Sequence, residues 1–170
     1  MPLHRIMTIR KLKSSDREAF FQLSKTVVEA LENKDFLIPM TEEEADTTFR
    51  DDSKDVVLGA FIDDRLVATL GLFLDIRDYE EVLPENCHSL NGAEIGEAMV
   101  SPELRRNGLM NKLWTSLNDI IQDSDLDFLL ATAHPDNISN RLMQKDGFKL
   151  YKVFKRRGYT RNMYFRKSKV

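Results

Sequence analysis

Met99-Val100-Ser101-Pro102-Glu103-Leu104-Arg105-Arg106-Asn107-Gly108-Leu109 is the stretch that decides how this chain is read. An apolar strand end passes through a proline-marked loop to two arginines and a glycine, and an amphipathic helix begins. From there Leu109, Leu113, Leu117, Ile120 and Ile121 recur at the spacing of one helical face. The first N–H groups of a helix have no partner inside it. A glycine at the mouth lets a ligand approach them, and arginines add positive charge. That combination predicts an anion site, most naturally for phosphate. The bland alternative is a solvent-facing basic cap. The stretch has neither the lysine loop of nucleotide hydrolases nor the three-glycine turn of dinucleotide binders, so another phosphate-bearing ligand is implied.

Working outward, residues 6–12 read as a first strand. Ser14-Ser15-Asp16 then precedes a helix with Phe20, Leu23, Val27, Ala30 and Leu31 on one face. Thr41-Glu42-Glu43-Glu44 reads as a capping box opening a second, shorter helix. Val56 to Ile62 and Arg65 to Leu74, separated by Asp63-Asp64, form a hairpin. Residues 75–92 read as charged, proline-bearing loop, and Glu94 to Val100 as a strand. Gly96 within it suggests a bulge or a close backbone approach. After the central helix come a buried strand at Phe128 to Ala133 and a helix at Ile138 to Asp146, ended by Gly147 in a left-handed cap. Two closing strands, Phe148 to Phe154 and Arg161 to Phe165, flank Gly158.

The 170 residues suit one α/β domain over 1–170, without repeats or linker. With 25 basic and 28 acidic residues the net charge is −3, which argues against a general nucleic-acid binder. No run reaches the roughly 18 apolar residues a membrane span needs, and no secretory signal is visible, so no membrane partner is expected. Cys87 is the only cysteine, so the expected compartment is a reducing cytoplasm. It can be read as a catalytic thiol or as an incidental loop residue. The three histidines and one cysteine have no metal-ligand spacing, so no metal is expected.

The opening stretch resembles motif A of the GCN5-related N-acetyltransferases (GNAT), Arg/Gln-x-x-Gly-x-Gly/Ala. Its six positions here are Arg105-Arg106-Asn107-Gly108-Leu109-Met110, and Met110 departs from the pattern. Residues His134 to Ser139 and Leu142 to Phe148 resemble motif B of the same family. Ala133-His134-Pro135-Asp136-Asn137, with Tyr159 and Arg161, is similar to a group of bacterial members with unassigned substrates. The element order fits as well. The resemblance implies a single-domain GNAT fold, a mixed and largely antiparallel sheet of about seven strands flanked by four helices. It also implies acetyl-CoA as cosubstrate, its pyrophosphate held at Arg105, Arg106, Asn107, Gly108, Leu109 and Met110. The main chain of Met99 and Val100 would serve the pantetheine arm and the developing oxyanion, and Asn137 or Ser139 could bond the arm.

Acetyl transfer to an amine needs a base, oxyanion donors and a fate for the thiolate. Glu97 and Glu94 are the candidate bases, with Glu97 preferred. Three apart on one strand, they are expected on opposite faces, and either could instead be a strand-edge ion-pair residue. The family's usual acid, a tyrosine in the last helix, is replaced by Met143, which leaves Tyr159 as a candidate. His134, at a strand end where α/β ligand sites tend to lie, is a candidate for proton transfer, or is a loop residue bonded to backbone. Asp75, Asp78, Glu80, Glu81 and Glu85 would form a negative rim favouring a cationic amine. Residues 141–170 hold eleven Lys/Arg and one acid, Asp146, a solvated hairpin or an RNA surface.

The reading is an acetyl-CoA-dependent N-acetyltransferase acting on a small-molecule or protein amine by direct attack in a ternary complex. A homodimer is compatible with it. The alternatives are a non-catalytic acyl-CoA-binding or sensing module, and an RNA-associated protein using the basic C-terminal hairpin.

Overall fold

The structure is a computed structural model and describes residues 6–169. The stretch read for a secretory signal lies only partly within them. Seven strands form one sheet in the order β1-β2-β3-β4-β5-β7-β6. They are β1 Met7–Lys11, β2 Val56–Ile62, β3 Arg65–Phe73, β4 Gly92–Val100, β5 Phe128–Ala133, β6 Lys149–Arg156 and β7 Tyr159–Lys167. The β4–β5 pair is parallel, while β1–β2, β2–β3, β5–β7 and β6–β7 are antiparallel. Four helices complete the fold: α1 Arg17–Ala30, α2 Glu42–Thr48, α3 Leu109–Gln122 and α4 Ser139–Lys145. This is the mixed, largely antiparallel architecture expected.

Packing divides the chain into two compact units. Among the described residues, one holds 6–72 together with Glu97–Asp119, and the other holds Phe73–Gly96 together with 120–169.

In the first unit, α1 buries Phe20, Leu23 and Val27, and the Phe20 and Phe49 rings meet edge-on at 5.1 Å. Ala30 is exposed and Leu31 already lies in the helix cap, so the apolar face ends a turn earlier than its spacing suggests. The Asp16 side chain does not cap α1. It accepts bonds from Arg10 Nη1 and Nη2 at 2.7 and 2.8 Å and from the Lys13 N–H at 2.9 Å. Thr41 Oγ1 accepts the Glu44 N–H at 3.1 Å, the expected cap of α2. Asp63 and Asp64 both lie at positive φ, 50° and 62°, the two-residue turn whose twist matches a hairpin.

On α3 the buried ridge is Leu109, Leu113, Leu117 and Ile121, each at most 5% exposed. Burial of each such side chain contributes about 1.5–3 kcal/mol. Ile120 is 38% exposed, against expectation. The ridge follows i+4 steps and drifts around the helix, which leaves Ile120 about 100° from Ile121 at the last turn.

The second unit is built on Tyr79, Phe128, Leu130 and Met163. The segment read as structureless loop forms short 3-10 turns at Arg77–Tyr79 and Glu85–Cys87. It is anchored by Tyr79, only 1% exposed, with Ile76, Val82 and Leu83 packed around the same cluster. Gly147 lies at φ 89° as expected for a helix stop. Its N–H bonds Gln144 O while the Phe148 N–H bonds Met143 O, the paired closure of a left-handed cap. Strands β6 and β7 run longer than read, joined by a turn at Arg157 and Gly158.

Candidate functional site

The phosphate-type loop forms within the first unit. A turn closed by the Leu104 N–H on Ser101 O leads into exposed Arg105, Arg106, Asn107 and Gly108. Asn107 Nδ2 donates to the carbonyls of Leu104 and Arg105 at 3.0 and 3.1 Å, which closes the loop on itself. Arg106 and Gly108 lie at φ 66° and 72°, a backbone that reverses the chain so that α3 starts at Leu109. A Cβ at Gly108 would meet nothing within 4 Å, so open space lies directly over the helix mouth. Val100, Leu104 and residues 105–111 bound a depression of about 220 Å³. Met110, the departure from the motif, is half-buried and lines the same depression.

The charges around this loop remain available. Arg105 and Arg106 take part in no ion pair among the described residues. The nearest acid in sequence, Glu103, is engaged elsewhere: it accepts Ser101 Oγ at 2.7 Å and pairs with Arg65. The Ser101 bond, helped by its own backbone and Arg65, holds the Glu103 carboxyl below its ordinary pKa. Two unneutralised guanidiniums, a helix of 14 residues and open space over its first N–H groups suit a pyrophosphate.

On β4 the irregular residue is Glu97, not Gly96. Glu97 lies at φ 50°, whereas Gly96 is outside the left-handed region. A left-handed non-glycine residue costs of order 1–3 kcal/mol. The buried Thr69 hydroxyl of β3 donates to Glu97 O at 2.7 Å and helps offset that cost. The bulge breaks strict alternation, so spacing no longer assigns Glu94 and Glu97 to opposite faces. Within the second unit, the parallel β4–β5 pairs run from Gly92↔Phe128 to Ile95↔Ala131.

Glu94 belongs to a polar cluster that sequence reading missed. The Tyr79 hydroxyl donates to Glu94 Oε2, and the Arg156 guanidinium lies over the Tyr79 ring at 4.9 Å from its centroid. Burial pushes the Tyr79 phenol far above its ordinary pKa, and the Glu94 charge adds to the shift. Tyr79 therefore stays protonated and acts as a fixed donor. The only sequence signal was one tyrosine set among apolar Ile76, Val82 and Leu83 inside a charged stretch.

The other expected residues are placed as follows. His134 is half-buried, its Nδ1 accepting the Asp136 N–H at 3.1 Å and its carbonyl accepting Asn140 Nδ2. Asn137 Oδ1 accepts the Ser139 N–H at 2.9 Å, so its side chain turns the chain into α4. Asn140, also missed, links α4 to β7 by accepting Tyr164 Oη and Asn162 Nδ2 on Oδ1. Tyr159 opens β7 with the Arg161 guanidinium 5.3 Å from its ring centroid. Cys87 packs against the Tyr79 core, where burial raises its thiol pKa and disfavours a nucleophile.

In the acidic segment, Asp75 pairs with Arg77, and Asp78 with Arg156 and Arg157, so the rim carries less charge than its sequence suggests. Several C-terminal cations are likewise committed. Lys169 Nζ bonds the carbonyls of Ile121, Gln122 and Ser124 at the end of α3, Arg166 bonds Asp146 O, and Arg161 is buried. These contacts weaken the RNA reading. Among the described residues no helix is long and apolar enough to cross a membrane.

The family model described as "Acetyltransferase (GNAT) domain" matches residues 8–149. No curated protein matches the chain in sequence. Among solved structures, the chain is similar to FeeM, an N-acyl amino acid synthase from uncultured soil microbes. The TM-score is 0.75 at 14% identity, over 96% of this chain and 92% of that one. A probable acetyltransferase from Staphylococcus epidermidis ATCC 12228 gives a TM-score of 0.73 at 19% identity, over 95% and 99%. N-acetylglutamate synthase from Neisseria gonorrhoeae, complexed with coenzyme A and N-acetyl-glutamate, gives 0.69 at 16% identity. That match covers 95% of this chain and 35% of the synthase. At these identities the likeness is one of fold.

Proposed function

The chain belongs to the GNAT acetyltransferase family, and we propose that residues 1–170 act as one domain transferring acetyl from acetyl-CoA to a primary amine of a small molecule or protein. The observation that carries this reading is the mouth of α3, where open space over Gly108 meets two arginines in no ion pair among the described residues. Residues 105–110 would hold the pyrophosphate. The main chain of Met99 and Val100, just past the Glu97 bulge, would serve the pantetheine arm and the oxyanion. Asn137 helps here by shaping the start of α4, and Ser139 is the side chain of that turn left for a contact with the arm.

Bound acetyl-CoA supplies a thioester whose carbonyl carbon bonds the amine nitrogen as the C–S bond breaks. The attacking amine must first give up a proton, and Glu94 is the better-held base, since the Tyr79 hydroxyl fixes its carboxylate. Glu97, on its strained backbone, is the second candidate. The departing thiolate takes a proton from Tyr159 or from water, because Met143 has none to give. His134 helps to shape the loop before α4. The protein acts in the cytoplasm.

The non-catalytic alternative draws on Met110 and Met143, the two departures from the family pattern. Calorimetric titration with acetyl-CoA and desulfo-CoA, followed by thiol release over an amine panel, separates the two. Binding with release for some amine supports the transferase. Binding without release for any amine supports the sensing module, and no binding removes both.

A further inference from the structure

Arg156 of β6 is a mostly buried cation whose bonding capacity is only partly used. Its side chain is 19% exposed and lies against the Tyr79 ring. Nη2 reaches Asp78 Oδ2 at 3.4 Å, long for a charge-assisted bond, and Arg157 Nη2 contacts the same oxygen at the same distance. The buried Nε has no hydrogen-bond partner among the described residues. Burying a guanidinium is unfavourable unless its N–H groups are bonded. The neighbouring anion, Glu94, already accepts the Tyr79 hydroxyl. A half-satisfied guanidinium thus stands beside an anchored carboxylate, and its 19% exposed side chain meets solvent next to Asp78, which is 59% exposed.

We propose that the acceptor is an amino-acid-like molecule with a carboxylate close to its amine, the carboxylate bound by Arg156 and the ammonium facing Glu94. The inference rests on Glu94 as the proton acceptor of the transfer reaction. An arginine edge matches a carboxylate in a bidentate way that a neutral amide or a bare amine cannot reproduce. Asp78 would keep Arg157 as its partner when a ligand carboxylate takes Arg156. A second positive charge on the acceptor would meet Arg156, so dicationic amines are disfavoured here in spite of the acidic segment nearby.

The test compares α-amino acids, their amides and their decarboxylated amines by thiol release with wild type, Arg156→Gln and Arg156→Lys. In parallel, saturation-transfer NMR follows binding of the amino acids and amides. The acids should exceed their amides by about tenfold or more in kcat/KM. Arg156→Gln should lower the value for acids by about ten- to a hundredfold, through KM. Arg156→Lys should recover part of the loss, and acetyl-CoA affinity should not move. Amides equal to acids in wild type would overturn the proposal. So would a uniform loss for every acceptor in Arg156→Gln, which marks a purely structural cation. If no amine is acetylated but acids still bind and Arg156→Gln abolishes that binding, the transferase reading falls and the carboxylate site stands. Transfer to amines with no preference for acids removes the carboxylate site and leaves the transferase standing.

Discussion

The arginine–glycine mouth of α3 and the Tyr79–Glu94–Arg156 cluster, proposed here as sites for charged ligands, arrange their polar groups by opposite means. The mouth is exposed, its arginines are in no ion pair among the described residues, and the donors it would offer are main-chain N–H groups at a helix start. The cluster is largely buried, and each side chain in it is oriented by another from a distant segment. A main-chain site resists most side-chain changes and fails when its backbone or its space is altered. A buried side-chain cluster fails when any one member is lost, because the remaining members are left with unsatisfied groups.

The largest effect should come from the cluster. Glu94→Gln is expected to lower kcat by about 10²–10⁴-fold, the usual contribution of a positioned base, without changing the dissociation constant of acetyl-CoA. A wild-type rate in this variant, with a collapse in Glu97→Gln, would move the base to the bulge residue. On the α3 side, Leu113→Ala removes the middle of the buried ridge that carries the mouth. It should cost about 2–5 kcal/mol in urea unfolding, and a loss below about 1 kcal/mol would mean that α3 is held by something other than this ridge.

Gly108→Asp places a side chain and a negative charge in the open space at the mouth, on a backbone that disfavours it. Acetyl-CoA affinity should fall about ten- to a hundredfold by calorimetry, while kcat at saturation changes little. Unaltered affinity in a folded variant would take this loop out of the cofactor site. The smallest effect is set for a residue in neither region. Arg10 holds the Asp16 carboxyl below its ordinary pKa, so the pair's contribution is present above the unfolded value, near pH 4, and is lost as pH falls through the lower folded value. Asp16→Asn should cost about 1 kcal/mol at pH 7, and its urea midpoint should converge with wild type on acidification. A gap that stays constant across that range would show that the carboxylate's charge is not what matters. Activity per folded molecule should stay at the wild-type level.

Much of the molecule was decided within a few residues and could be read without coordinates. Spacing alone placed the Leu109–Leu113–Leu117–Ile121 ridge, two aspartates placed the β2–β3 turn, Thr41 capped α2, and Gly147 ended α4. The mouth of α3 belongs to this group because its parts are consecutive and its donors are backbone. Other features came only from tertiary structure. Glu97 lies at positive φ, and its carbonyl accepts the hydroxyl of Thr69, 28 residues away; the residue type at 96 or 97 does not reveal that. Tyr79 lies 15 residues from Glu94, and Asp78 lies 78 residues from Arg156. Whether those groups meet depends on how separate strands and turns pack together, and so does the pairing of Asp78 with Arg156 and Arg157. Backbone preferences act over one turn of chain, whereas the pairing of buried charges is settled only when the fold brings distant segments into one low-dielectric place.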